Sequence, residues 1–455
     1  MPALDDFATW EPLLRVMRDA LGVPVGQATG SISTNGWSTA LKPPPTDPER
    51  AVRFTPTRAT EEAVKPVQAV LGDNTVIDEV AFVADFEASG RVVLRWMASL
   101  DVPRTSLGPE GPQELILVDG AVAEPWRRLP EPTPHATPSP TADPALLERT
   151  LRERLPEAIP ATDAEIAAAE ARLGFLLPEE LKAVYRVTRG TRWSDFDNDV
   201  AAVGRYTDAV RLELYELDDL RIADPESRPD QWRFAAFEAV VTRPDSPVQG
   251  LVGSPGWIAF GEDGGGDVYA IDLTPGPAGH TGQVILLSHE KSIGADLIAH
   301  SLTDMIVGGQ ELYLRQPPAG TPQVAYITDR SVPSIEAAAH PDLEVLSLGT
   351  GEGDPVSLAA LFDCPKLRTL TAAPGTLADP LEIVRLTGLE YLSLPAAYWR
   401  VLLDADAVPR SLLAAGFAGF EGYTDDPLGC VEVANRLLDL FTGPPLTQTV
   451  VEGVL

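Results

Sequence analysis

The chain has 455 residues, 44% of them hydrophobic and 7% aromatic, which exceeds what one core can organise and suffices for about two to four domains. Its net charge of −32 is spread along the sequence, with −13 in residues 145–310 and −11 in 311–455. That distribution excludes an acidic tail as the source and disfavours nucleic acid as a partner, because phosphate neutralisation needs clustered Lys and Arg. A basic protein partner is compatible with it.

Residues 1–128 read as a small α+β domain. Trp10, Leu13, Leu14, Met17 and Leu21 recur at helical spacing, and Gly22 with Pro24 predicts the helix stop. Val80 to Phe86 and Val92 to Met97 flank Ala88-Ser89-Gly90 as a hairpin. Leu115 to Val118, Asp119-Gly120 and Val122 predict a second hairpin. Residues 129–144, LPEPTPHATPSPTADP, hold six prolines. They favour extended polyproline II, so the segment reads as a linker between independently folding units. The N-terminus has no basic segment followed by a long apolar one, and no run of about 18 apolar residues occurs. The expectation is a cytoplasmic protein without a membrane partner.

Residues 145–310 carry the densest set of signals. A helix is expected near Ala145 to Leu155. Thr162 then precedes Glu165 by three residues as a capping box, Ile166, Ala169 and Leu173 share one face, and Gly174 ends that helix. Pro178 suits the first turn of the next helix, whose inner face is Leu181, Val184 and Tyr185. Leu212 and Leu214 alternate with charges as a half-buried strand, and Ile258 to Phe260, Val268 to Leu273 and Val284 to Leu287 supply further strands. Leu297, Ile298, Leu302 and Ile306 predict a last helix over 295–307.

Two acidic segments are candidates for chemistry. Glu262-Asp263-Gly264-Gly265-Gly266-Asp267 places three carboxylates around three glycines, a composition open to calcium but also that of a simple turn, which is the preferred reading. Asp195, Asp197 and Asp199 start like an EF-hand loop, but Val200 stands where glycine is required and Tyr206 where glutamate is required. No metal site, cofactor motif, phosphate-binding glycine loop, HExxH or G-x-S-x-G occurs. His289 and Glu290 are adjacent, so on a strand they would face opposite ways and make a poor acid–base pair. A non-enzymatic protein is therefore expected. Trp257 and Trp232 read as core or anchor residues, and Trp193 as a partly exposed one.

The order Thr162 to Glu165, LPEEL at 177–181, Tyr185, then WIAFGEDGGGD at 257–267 and a closing segment through Ile306 resembles the SUKH superfamily, also called the Smi/Knr-type domain. The resemblance spans about a third of the chain. It implies an α+β domain that binds another protein. Members are largely immunity proteins that neutralise secreted bacterial toxins, and others are regulators such as the fungal cell-wall assembly regulator. In that reading Trp193, Asp195, Asp197, Asp199, Glu262, Asp263 and Asp267 form the partner-binding face, opposing a basic toxin domain. The long stretch Arg221 to Val252 and the flanking regions depart from the simplest members.

Residues 311–455 are repetitive. Leu343-x-x-Leu346-x-Leu348, Leu367-x-x-Leu370-x-Ala372 and Leu389-x-x-Leu392-x-Leu394 share a template at intervals of 24 and 22 residues. That spacing is leucine-rich-repeat-like and predicts strands stacked in parallel. A multi-domain scaffold binding partners through this array is the alternative function.

Overall fold

A computed structural model describes residues 3–42, 55, 57–74, 77–98, 105–108, 111–190, 200–228, 232–308, 323–328, 334–349, 354–417 and 427–455. The chain is α+β, and its described residues form three sheets. Its contacts group Met1–Ala121 with Pro322–Leu455 as one unit and Val122–Thr321 as another. This differs from the division into 1–128, a linker, 145–310 and 311–455, because strands from the two ends of the chain share sheets.

In the first unit, helix Phe7–Leu21 is capped by Asp6 and ends at Gly22, whose φ of 65° supplies the left-handed stop. Trp10, Leu13, Leu14, Met17 and Leu21 are all buried against the sheet of Gly26–Ser33, Trp37–Lys42, Glu79–Phe86, Arg91–Ala98 and Thr449–Val454. The hairpin at Ala88 to Gly90 pairs Glu79–Phe86 with Arg91–Ala98, and Gly90 has φ of 87°. Its outer partner is the last strand of the chain, with Val451 opposite Leu94.

The second expected hairpin is absent. After Asp119-Gly120 the chain enters a short helix, Glu124–Arg127, with Pro125 at its start. Strand Gly111–Ile116 pairs instead with Thr105–Gly108 and with Ala414–Gly416. A turn dipeptide directs the chain back, but the partner strand is chosen by burial, and Leu115 is buried in one cluster with Ala415.

The template leucines occupy strands Val345–Leu348, Thr369–Ala372 and Tyr391–Ser393, which pair in parallel with Leu346 opposite Leu370 and Leu370 opposite Leu392. Leu346, Leu370, Leu392 and Leu394 are fully buried. Val324–Ile327 and Ala414–Gly416 extend the ladder at its two ends.

In the second unit, helices Pro144–Arg154, Asp163–Leu173 and Glu179–Tyr185 precede a sheet built on Trp257–Glu262, Val268–Asp272, Gln283–Leu287 and Asp296–Ala299. The capping box is formed: Glu165 N donates to Thr162 Oγ1 at 3.2 Å, and Thr162 N donates to Glu165 Oε2 at 2.6 Å. Tyr185 is fully buried, and its hydroxyl donates to the Tyr215 carbonyl at 2.8 Å. The closing helix over 295–307 is replaced. Asp296–Ala299 is a strand paired with Gln283–Leu287, followed by a short π-helical turn, Asp304–Gly308. Leu297, Ile298, Leu302 and Ile306 are nonetheless buried. A short apolar run is compatible with either element, and here an open sheet edge supplies its backbone partners.

The proline-rich segment is extended but not free. Gln249, 1% exposed, accepts from Glu131 N at 2.8 Å and donates to Glu131 O at 2.8 Å. Thr281 N donates to the Thr137 carbonyl, and Thr141 Oγ1 donates to Asp304 Oδ2 at 2.6 Å. Proline removes donors but leaves carbonyls able to accept, so polyproline composition alone does not make a segment a loose tether.

Candidate functional site

The acidic glycine turn joins Trp257–Glu262 to Val268–Asp272, and strand Glu213–Leu214 lies along its first side. Gly261 belongs to this close approach, since a Cβ there would stand 2.6 Å from the Glu213 carbonyl oxygen. Gly264 and Gly266 have φ of 76° and 105°, conformations that disfavour any other residue. Asp263 holds the turn from within: its Oδ1 accepts from Gly265 N at 2.7 Å and from Asp267 N at 3.0 Å. Its carboxylate is committed to the backbone, which explains its place in the motif without a metal.

The other two carboxylates have side-chain partners. Tyr215 Oη donates to Glu262 Oε2 at 3.2 Å, and Arg221 donates to the same hydroxyl at 3.3 Å with its guanidinium 5.0 Å from the ring centroid. Asp267 Oδ1 accepts from His289 N at 2.9 Å and meets His289 Nδ1 at 2.7 Å. Burial pushes the Asp267 carboxyl up, but the bonds from His289 and Ser288 outweigh it and leave the group below the usual carboxylate range. Asp267 is thus a fixed anion. Among the described residues His289 makes no hydrogen bond to a Ser, Thr or Cys, so this Asp–His pair lacks the nucleophile of a triad.

Glu262, Asp263 and Asp267 are brought together at one end of the sheet. Trp193, Asp195, Asp197 and Asp199 lie outside the described residues. Sequence reasoning missed Glu213. It stands directly opposite Glu262 in the antiparallel ladder, and its Oε1 would be 3.0 Å from a Cβ on Gly264. The alternation of Leu212 and Leu214 marked the strand, but nothing in it named the strand's neighbour. Like charges directly opposite are unfavourable in a sheet. Among the described residues no group of three His, Cys, Asp or Glu is placed to hold a metal ion.

At the opposite end of the same hairpin lies a buried polar network. Trp257 is fully buried, and its indole N–H donates to Asp272 Oδ1 at 2.9 Å. Asp272 also accepts from Thr274 N at 2.8 Å and from Gln283 Nε2 at 2.9 Å. Its carboxyl is pushed up to about 6 by burial, despite these donors. Glu180, the second glutamate of LPEEL, is 8% exposed and accepts from Leu302 N, Thr303 N and Thr303 Oγ1. Several motif residues therefore secure the fold and do not face a partner. Trp232 is buried too, at 1% exposure.

Comparison with known proteins agrees with this architecture. Residues 160–308 match the SMI1 / KNR4 family (SUKH-1). A glucan synthesis regulatory protein of Neurospora crassa is 36% identical over 67 residues, 15% of this chain and 13% of that protein. The cell wall biosynthesis/cell cycle regulator smi1 of Schizosaccharomyces pombe is 40% identical over 109 residues, 20% of this chain and 21% of that protein. The chain thus spans about a fifth or less of the length of these relatives. Among the described residues no helix is long and apolar enough to cross a membrane. The capping box, the LPEEL helix, buried Trp257 and the acidic turn all fall within residues 160–308, the stretch that is similar to the SMI1 / KNR4 family (SUKH-1).

Proposed function

We propose that this chain is a non-enzymatic binding protein whose SUKH-type segment captures a basic protein domain with its acidic turn, in the manner of an immunity protein neutralising a toxin. One observation carries the reading. Glu262 and Asp263, with Glu213 opposite Glu262, gather negative charge on a turn whose shape is fixed by Asp263 and two positive-φ glycines. A rigid, exposed anionic turn loses little conformational freedom on binding and accelerates encounter with a basic cleft. Among the described residues His289 makes no hydrogen bond to a hydroxyl or thiol, which supports a binding role over a catalytic one.

The test is association of the full chain with a basic toxin domain, sought among the products of neighbouring genes, across a salt series. Steep slowing with salt and loss of toxin inhibition in the Glu262→Gln/Asp263→Asn variant are expected. Absence of any such toxin, or salt-independent association, sinks the immunity reading. A second reading, a regulator that uses the parallel strand stack as a scaffold, draws support from the two relatives named as regulators. It wins if variants in that stack, and not in the turn, lose the partner.

A further inference from the structure

A cavity of about 270 Å3 is bounded by Arg221, the Ser227-Arg228 turn, Gly266 and the loop from Ser288 to Ser292. In a chain of net charge −32, its walls carry two guanidinium groups, the Lys291 ammonium and the His289 imidazole. Arg228 is the innermost of these charges. Its Nη1 donates to the carbonyls of Val252 at 3.0 Å and Ser292 at 3.2 Å, and its Nη2 to those of Ser288 and Lys291 at 2.8 Å each. Four neutral acceptors fix the guanidinium plane and leave its charge uncancelled. Burial pushes its pKa down, against the pull of Asp267, as expected of a cation held without a contacting anion.

The remaining charges can be balanced one by one. Lys291 pairs with Asp296 at 2.8 Å, and His289 with Asp267 at 2.7 Å. Among the described residues neither Arg221 nor Arg228 forms an ion pair with a carboxylate. Arg221 rests on Tyr215, an exposed contact it can leave. Two unmatched positive charges therefore face one cavity, and Gly266 keeps that wall free of a side chain.

We propose that this cavity binds a phosphate-sized oxyanion, with Arg221 and Lys291 donating to it and the carbonyl-locked Arg228 supplying charge from behind. Two uncompensated cations match a dianion better than a single carboxylate. The chain's overall negative charge does not forbid this, because beyond a screening length of about 8 Å in physiological salt distant carboxylates are largely masked. The anion's source is either free phosphate or a phosphorylated side chain on a bound peptide.

The probe is inorganic phosphate, titrated calorimetrically into the full chain at neutral pH, with chloride holding ionic strength constant. Saturable one-to-one binding is expected, weakened at least about tenfold by Arg221→Gln, as loss of a charge-assisted bond implies. That variant leaves the Arg228 staple intact, so the fold is retained, and Lys291→Gln serves as a second, independent reporter. Tighter binding of a phosphoserine peptide than of phosphate identifies a peptide-borne anion, and equal binding identifies the free ion. No saturable binding, binding indifferent to both variants, or acetate binding as tightly as phosphate overturns the proposal. No protein partner enters the measurement, so its failure leaves the toxin-capture reading standing, and the reverse holds too.

Discussion

Asp272 gives the sharpest pH test of the second unit. The carboxyl is fully buried and pushed up to about 6 from its ordinary 3.8 by burial, which outweighs its bonds from Gln283, Thr274 and Trp257. Because the folded pKa is raised, the native state holds this proton more tightly than the unfolded chain does. Its contribution to stability is therefore fully present below about pH 4 and is lost as pH rises through about 6. A rise from 3.8 to about 6 corresponds to roughly 3 kcal/mol across that window. Other carboxylates act oppositely, since those lowered in the native state, such as Asp267 and Glu170, lose stabilisation as pH falls. The Asp272→Asn variant separates the two. The substituted amide can still accept from Trp257 and Thr274, but its nitrogen would face Gln283 Nε2, donor against donor, so the variant should be less stable at every pH. The wild-type advantage should be largest near pH 4 and shrink by roughly 3 kcal/mol by about pH 7. Because the chain has more than one unit, a single unfolding midpoint is a poor reporter. Hydrogen exchange of the 257–262, 268–272 and 283–287 amides, corrected for intrinsic rates, reads the sheet directly. An advantage that stays constant within about 1 kcal/mol over this range would refute the assignment of Asp272 as a neutral buried acid at low pH.

Leu370→Ala, at a fully buried position in the parallel stack, should cost roughly 2–5 kcal/mol in urea unfolding of the first unit, and a cost under about 0.5 kcal/mol would contradict the packing. Gln249→Ala removes both bonds to Glu131 and should raise the exchange rate of the Glu131 amide about tenfold or more, with unchanged exchange arguing that the prolines alone hold the segment. Glu262→Gln with Asp263→Asn should slow association with a basic partner while preserving the turn, since both amides keep the accepting oxygens used by Tyr215 Oη and Gly265 N. The control, Asp404→Asn with Asp406→Asn, breaks only exposed pairs with Arg436 and Arg410 and should change neither binding nor stability by more than about 1 kcal/mol.

Local signals are legible where the physics is local. The Thr162–Glu165 box, the Gly22 and Gly174 stops and the Gly90 turn each depend on residues within a few positions, and each is formed as expected. The 295–307 segment reads as a helix and folds otherwise because Leu297 and Ile298 satisfy burial equally well in a strand, and the deciding factor is the edge of Gln283–Leu287. Pairing of Thr449–Val454 with Arg91–Ala98 joins residues more than 350 positions apart, which no window of sequence can register.

The same distinction divides the candidate site. The acidic turn announces itself by composition, yet composition cannot separate carboxylates that build a turn from those that face outward. Asp263 is spent on Gly265 and Asp267, while Glu262 acquires its meaning from Tyr215 and Glu213, which lie elsewhere in the sequence. Arg228 is the converse case. Its position in sequence gives no hint that four carbonyls from two loops close around it. The 221–228 stretch is thus tied to the loops that flank the sheet strands by a cation whose charge those bonds do not cancel. The acidic turn and the cationic cavity adjoin at Gly266 and at His289, which lines the cavity and meets Asp267 at 2.7 Å. A ligand that contributes an anion to the cavity would therefore bear on the contact that fixes one end of the turn.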